Sequence, residues 1–527
     1  MTSLTGTLHL ARMAVRRDRV RLLLWVAAIV AVVLLNAVST VDLYPTQHSL
    51  DLAAAAARGN PAALAFNGPD VALDTVGGQV ALQVGAIGLT FVGLMSLLLV
   101  VRLTRAEEDS GRLELVRSMP VGRHASLAAA LVVVGATDAV VGLLTTLCLL
   151  SQDLPVGGSV VMGASFVVVG LLFAGLAATT AQVTENPRVA SGLAGGVLAA
   201  SFLVRAIGDA GSGAASWASP IGLAQKSRPF GGDAVWPLLL CLAFAALLTA
   251  AAAVLSARRD FGAGLVAPQP GPAHGSARLA TPLALAFRLQ RGAVLWWTIS
   301  LVAMAVAWGS LANSIDEFTK DNQSLEDMFK RLGGAGITDG YLATTLLFAA
   351  LVAAGAALQI VIRVRTEETG RRGDPVLATP TSRARWAGGH LVTALAGSGL
   401  GLIAAGLALG ITYGAVIGDP SQVGRLVGAA LVYLPSVWLF AALAVALIGL
   451  APGWTNGAWA VWGGCVALGL FGTLIDVPKA VRDLSPFEVV PTLPAESMRW
   501  LPVAGVGLVA VVLAVAGFEG LRRRDMS

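Results

Sequence analysis

RLTRAEEDSGRLELVRSMPVGR, residues 102–123, is a charged insert between two long apolar runs, and RVRTEETGRRGDPVLATPTSR, residues 363–383, answers it 260 residues further on. The two align without a gap. At that single offset Arg105 faces Arg365, Glu107 faces Glu367, Glu108 faces Glu368, Arg112 faces Arg372, Glu114 faces Asp374, Val116 faces Val376, Pro120 faces Pro380 and Arg123 faces Arg383. Self-similarity at a fixed period decides the architecture before any single element does, and in membrane proteins it marks two homologous halves around a shared path. One copy alone reads as a solvated loop; two in register point to a common task. Glu108 and Arg112, like Glu368 and Arg372, stand at i,i+4 in the order that lets a pair meet on one helix face. Each stretch is therefore expected to hold a short helix, ended by Pro120 or Pro380.

Outward from these stretches the chain is apolar. Of its 527 residues 56% are hydrophobic and 13% charged, with a mean hydropathy of +0.76, whereas soluble chains carry about 25% charged residues. The fold class expected is all-α: a polytopic membrane protein of twelve transmembrane helices in two homologous six-helix halves. Runs of about 20 apolar residues suit helical spans, and the alternation of a barrel strand is missing. The expected spans are 22–41, 82–101, 125–150, 156–181, 189–207 and 235–256 in the first half. In the second they are 294–312, 342–362, 387–416, 426–450, 455–475 and 501–520. Residues 1–256 make the first half and 284–527 the second. The segment 257–283, with Pro268, Pro270, Pro272 and Pro282, is a cytoplasmic linker.

An amphipathic helix lying on the membrane surface is expected before each first span, around Leu4 to Arg19 and around Leu279 to Arg291. Two further features recur: SARRDFG after the sixth span and GLRRRDM after the twelfth, and Ser219-Pro220 answered by Ser485-Pro486. With this layout 25 of the 36 Lys and Arg residues fall on the side of the termini and the charged stretches. The positive-inside rule places that side, and so both termini, in the cytoplasm of a multi-pass cell-membrane protein. A net charge of +5 spread over loops is no nucleic-acid footprint. Cys148, Cys241 and Cys465 sit inside apolar runs and read as packing residues. Gly192/Gly196 and Gly406/Gly410 read as close helix contacts.

The chain has no GxxxxGK[ST] phosphate loop, no His-Glu metal motif and no nucleophile elbow, so no catalytic residue is assigned and no metal or cofactor is expected on the chain itself. Ionisable groups inside spans are scarce. Asp138 lies in the third span with Ser398 at its partner position, and Arg205, near the outer end of the fifth, is expected to snorkel to the interface.

The six-plus-six layout with R-x-E-E-x-x-G-R-x-E-x-V-R-S-x-P at Arg105 to Pro120 resembles the type-2 ATP-binding-cassette export permeases, in particular the actinobacterial polyketide-antibiotic and multidrug exporters. The resemblance covers essentially the whole chain. It implies two copies of an ATP-binding-cassette ATPase subunit as partners, ATP and Mg bound on those subunits, and a hydrophobic or amphipathic small-molecule substrate in the lipid bilayer. It implies ATPase coupling at Arg105, Glu107, Glu108, Arg112 and Glu114, and again at Arg365, Glu367, Glu368, Arg372 and Asp374, with secondary contacts from QVTENPR (182–188) and APGWTNG (451–457). The second copy departs from the pattern, Arg371-Arg372-Gly373 standing where the first has Gly111-Arg112-Leu113. By the same resemblance the substrate path runs along the second and fifth spans of each half: Gln83, Phe91, Met95 and Phe202, then Phe348, Gln359, Trp459, Trp462 and Phe471. A gradient-driven secondary carrier, which also has two six-span halves, is the alternative, and a non-transporting membrane sensor or assembly factor is a third.

Overall fold

The computed structural model describes residues 3–58, 61–111, 120–211, 213–260, 262–267, 274–276, 279, 281–320, 337–471 and 478–525. Among them every regular element is a helix. Among the described residues eleven helices are long and apolar enough to cross a membrane, and a shorter apolar helix covers Gly457–Gly469, so the chain is a polytopic all-α membrane protein. Twelve such helices were expected. The eleventh expected span, 455–475, holds the 15-residue helix Gly457–Phe471, and residues 472–475 lie outside the described residues.

The chain divides into two compact units, Met1–Gly271 and Pro272–Ser527. Each has its own apolar core. In the first, Val76–Leu103 and Val156–Val183 are the most covered helices; Val92, Leu97, Phe166 and Phe173 are at most 1% exposed. In the second the same position falls to Ile337–Thr369 and Leu434–Leu450, around Leu358, Val361 and Phe440. Small residues let backbones touch, the usual source of helix association where lipid is as apolar as the side chains. A Cβ on Gly142 would lie 2.6 Å from the carbonyl oxygen of Gly163, and one on Gly449 would lie 2.0 Å from that of Gly517.

Three expectations change. The N-terminal amphipathic segment is no separate surface helix; one unbroken helix runs Thr7–Leu43. Nothing in RRDRVRL breaks it, and Asp18 is fixed by Arg102 Nε at 2.8 Å from the end of the next long helix. The same holds in the second unit, where Pro282–Lys320 is continuous. Gly406 and Gly410 pack against Val427 and Val423 as expected, but Gly192 and Gly196 meet nothing within 4 Å.

Candidate functional site

The first charged stretch leaves the Val76–Leu103 helix through Thr104, whose φ of −116° and ψ of −82° turn the chain into the short helix Arg105–Asp109. Arg105 is 1% exposed. Its Nε donates to Thr184 O and its Nη2 to Ala263 O, both at 2.8 Å, while its Nη1 pairs with Glu108. The Glu108 carboxylate is gripped a second time, by Arg259 Nη2 at 2.6 Å and Nη1 at 2.9 Å. Arg259 follows directly on the Trp236–Arg258 helix, and its Nε donates to Gln182 at 2.6 Å. Glu107 is held by Arg17 at 2.7 Å.

The second stretch repeats this arrangement. Glu368 takes both Arg524 Nη1 and Nη2 at 2.7 Å, with Arg365 beside it at 3.0 Å. Arg524 again follows directly on the last long helix, Trp500–Arg523. Glu367 pairs with Arg363 at 2.9 Å and faces His390 Nε2 at 3.7 Å. The far ends of both stretches are fastened too. Arg123 donates to Ala257 O, and Arg383 donates to Arg524 O and to Leu521 O at 3.5 Å. The carbonyls at the end of a helix have no partner of their own, and a guanidinium is a favourable one. Planar two-point Arg–carboxylate contacts give direction as well as attraction.

The acidic pair of each stretch is thus bonded within its own unit, and the exposed tip consists of other residues. In the first stretch Asp109 and Ser110 are exposed; in the second Arg371, Arg372 and Asp374 are. Arg112 and Glu114 lie outside the described residues. The expected pair Glu368–Arg372 does not form, because the helix stops at Thr369 and Arg371 adopts φ 52°. Of the pair Glu108–Arg112, Arg112 lies outside the described residues. Gly111, at the position matching Arg371, has φ 72°, so both copies turn left-handed at one register, with Gly in the first and Arg in the second. QVTENPR is drawn in by Arg105 and Arg259, and Asn186 caps the following helix by accepting from Arg188 N at 2.9 Å. In APGWTNG, Trp454 is 75% exposed. The sequence reading missed Arg259 and Arg524 as partners, although the repeated R-D after the sixth and twelfth spans was their signal.

The residues expected along a substrate path divide. Gln83, Ile87, Phe91, Leu94 and Leu98 form the least covered stripe of their helix, Phe91 being 49% exposed, and Gln83 accepts from Asn36 at 2.8 Å. Met95 leaves the set: it is 0% exposed and packed in the core, although it lies only about 40° round the helix from Phe91, at the edge of the stripe. Phe202 packs edge-on against Phe66. In the second unit Thr344, Phe348, Val352 and Gln359 make a comparable stripe; Trp308 meets Phe348 and Trp297 donates to Gln359 at 2.6 Å. Trp459 and Trp462 pack edge to face, and Trp462 Nε1 donates to Leu351 O at 2.9 Å. Phe471 ends its helix, and its side chain is outside the described set.

Arg205 does not snorkel. It is 0% exposed, donates to Ala65 O at 2.7 Å and Phe66 O at 3.1 Å, and pairs with Asp209 at 3.2 Å. With the Phe66–Phe202 contact it holds the short helix Pro61–Asn67 against the helix Pro187–Ala210. Asp138 is fully buried, accepts from Ser96 Oγ at 2.7 Å, and has Oδ2 without a hydrogen-bond partner.

The multidrug efflux system permease protein Rv1217c of Mycobacterium tuberculosis (strain ATCC 25618 / H37Rv) is 39% identical over 527 residues, covering 99% of this chain and 95% of its own length. The chain belongs to the Rv1217c family of multidrug efflux permeases. The family model described as "Multidrug efflux system permease Rv1217c, C-terminal domain" matches residues 279–522. In this efflux permease the matched region takes in the whole second stretch, including Glu367 and Glu368, and stops two residues short of Arg524.

Proposed function

We propose that this chain is the membrane-spanning subunit of an ATP-binding-cassette exporter, carrying drug-like or polyketide antibiotic molecules out of the cell on ATP hydrolysed by two separate nucleotide-binding subunits. The observation that carries the reading is the duplicated stretch: in each unit a charged tip stands on a short turn or helix fastened at both ends to the last span. Such a mount suits a contact that must transmit motion, because coupling needs contacts that differ between two arrangements of a rigid body. We place twelve spans in two homologous halves, with Gly457–Phe471 as the core of the eleventh. The charged stretches and both termini lie in the cytoplasm, and ATP and Mg bind on the partners.

In this reading the tip does the docking, through Asp109, Arg371, Arg372 and Asp374 with Arg112 and Glu114, while Arg105, Arg365 and the glutamate pairs hold it in place. The open stripes through Phe91 and through Phe348 and Gln359, with Phe202 and the Trp459/Trp462 pair, serve a bulky amphipathic substrate; few charges line them, which suits no small anion. The test is a pull-down from native membrane of wild type and of Asp109→Arg/Arg372→Glu/Asp374→Arg. An ATP-binding subunit is expected with the wild type and not with the triple variant. Wild type that brings down no ATPase refutes the reading. Asp138 favours a second one, a gradient-driven carrier, as a buried carboxylate with an open oxygen. Transport that persists after ATP depletion and stops in Asp138→Asn supports it.

A further inference from the structure

Arg259 and Arg524 stand one residue beyond the final helix of their units, and each closes on the acidic residue that its own charged stretch offers. The match goes further than the carboxylates. Arg105 and Arg365 each pair with the same glutamate from three residues upstream. Arg123 and Arg383 each return from the far side of the loop to carbonyls at the end of the same final helix. So the stretch is tied to the last span where it begins and again where it ends, in both units. The Glu108 and Glu368 side chains are 6% and 2% exposed, with Arg259 at 9% and Arg524 at 15%. Water competes little for such contacts, and loss of Arg259 or Arg524 leaves a covered carboxylate facing only the arginine three residues upstream.

We propose that Arg259 and Arg524 are positioning residues of the transport cycle. Each locks the turn after the second or eighth span to the end of the sixth or twelfth, so that a push on the charged tip moves both as one lever. The proposal rests on the ATP-driven reading above. With the lock open, an attached ATPase still turns over, but its closure displaces a loosened tip and no longer the bundle. Both arginines present their two outer nitrogens to one carboxylate, but the locks differ in their other supports: Arg259 also holds Gln182 and Ala263 O. Replacing Arg259 removes these as well and is therefore expected to be the more damaging.

The experiment uses the full complex reconstituted in vesicles and reads three quantities: ATPase retained, ATP hydrolysed, and substrate moved per ATP. The variants are Arg524→Glu, Arg524→Gln, Glu368→Arg and the exchange Arg524→Glu/Glu368→Arg, with the same set at Arg259 and Glu108. Expected for each single variant is retained ATPase with continuing hydrolysis and a transport-to-hydrolysis ratio at least tenfold lower. The exchange should recover the ratio to within about threefold of wild type, which a merely structural loss would not do. Arg524→Gln, which adds no repulsion, keeps the test open if Arg524→Glu fails to assemble. The proposal is overturned if the ratio stays within twofold in Arg524→Gln and Arg259→Gln, or if these variants shed the ATPase, which makes the pair part of the dock. Absence of any ATPase with wild type instead removes the exporter reading itself.

Discussion

Replacing Arg205 by Ala removes a guanidinium that is fully covered and serves three acceptors: Ala65 O at 2.7 Å, Phe66 O at 3.1 Å and Asp209 at 3.2 Å. Asp209 keeps only Ser216 Oγ, at 2.7 Å, of the partners that face it here. A buried charge stripped of its partner costs about 3–5 kcal/mol, and the two carbonyls lose charge-assisted bonds. Arg205→Lys keeps the charge but replaces the planar fork, whose two outer nitrogens serve these acceptors, by a single nitrogen, and should lose about half as much. Arg205→Ala/Asp209→Asn strands no charge and should be milder than Arg205→Ala alone. Between residues 42 and 80 the only Lys or Arg is Arg58, next to the Pro61–Asn67 helix that Arg205 holds. Trypsin cleavage at Arg58 of protein in detergent therefore reports local opening. At 1.4 kcal/mol per tenfold, about 3 kcal/mol raises the open population by about a hundredfold. Cleavage in Arg205→Ala at the wild-type rate, with the melting temperature unmoved, would refute the assignment of Arg205 as a staple.

The left-handed turn predicts a difference between the stretches: Arg371→Gly should stabilise the chain by about 0.5–1 kcal/mol and Gly111→Ala should destabilise it by about 1 kcal/mol, read from thermal unfolding. The covered edge and the open stripe of the second span should separate in a paired measurement. Met95→Ala empties a packed site and should cost about 2–5 kcal/mol of stability without changing which substrates are moved. Phe91→Ala should do the reverse, shifting the substrate spectrum in vesicle transport at an unchanged melting temperature; equal effects of the two on selectivity would argue against the stripe.

Much of this protein could be read before its coordinates. Hydropathy alone determines an all-helical membrane chain, because in lipid a backbone must satisfy its own hydrogen bonds, and the offset that aligns Arg105 with Arg365 also aligns two stretches of the same build. What the sequence could not decide is which way a side chain faces once helices pack. Met95 and Phe91 are both large and apolar and lie only about 40° apart round the helix, and it is what packs against each that separates core from open stripe. Arg205 looked like an interfacial arginine because its acceptors, the carbonyls of Ala65 and Phe66, are backbone atoms that no residue pattern announces. Glu108 and Glu368 looked like outward contacts because their partners Arg259 and Arg524 lie some 150 residues away along the chain. The repeated R-D was visible, but which carboxylate each arginine takes is set by where the ends of separate helices meet, and that is a property of the tertiary structure alone.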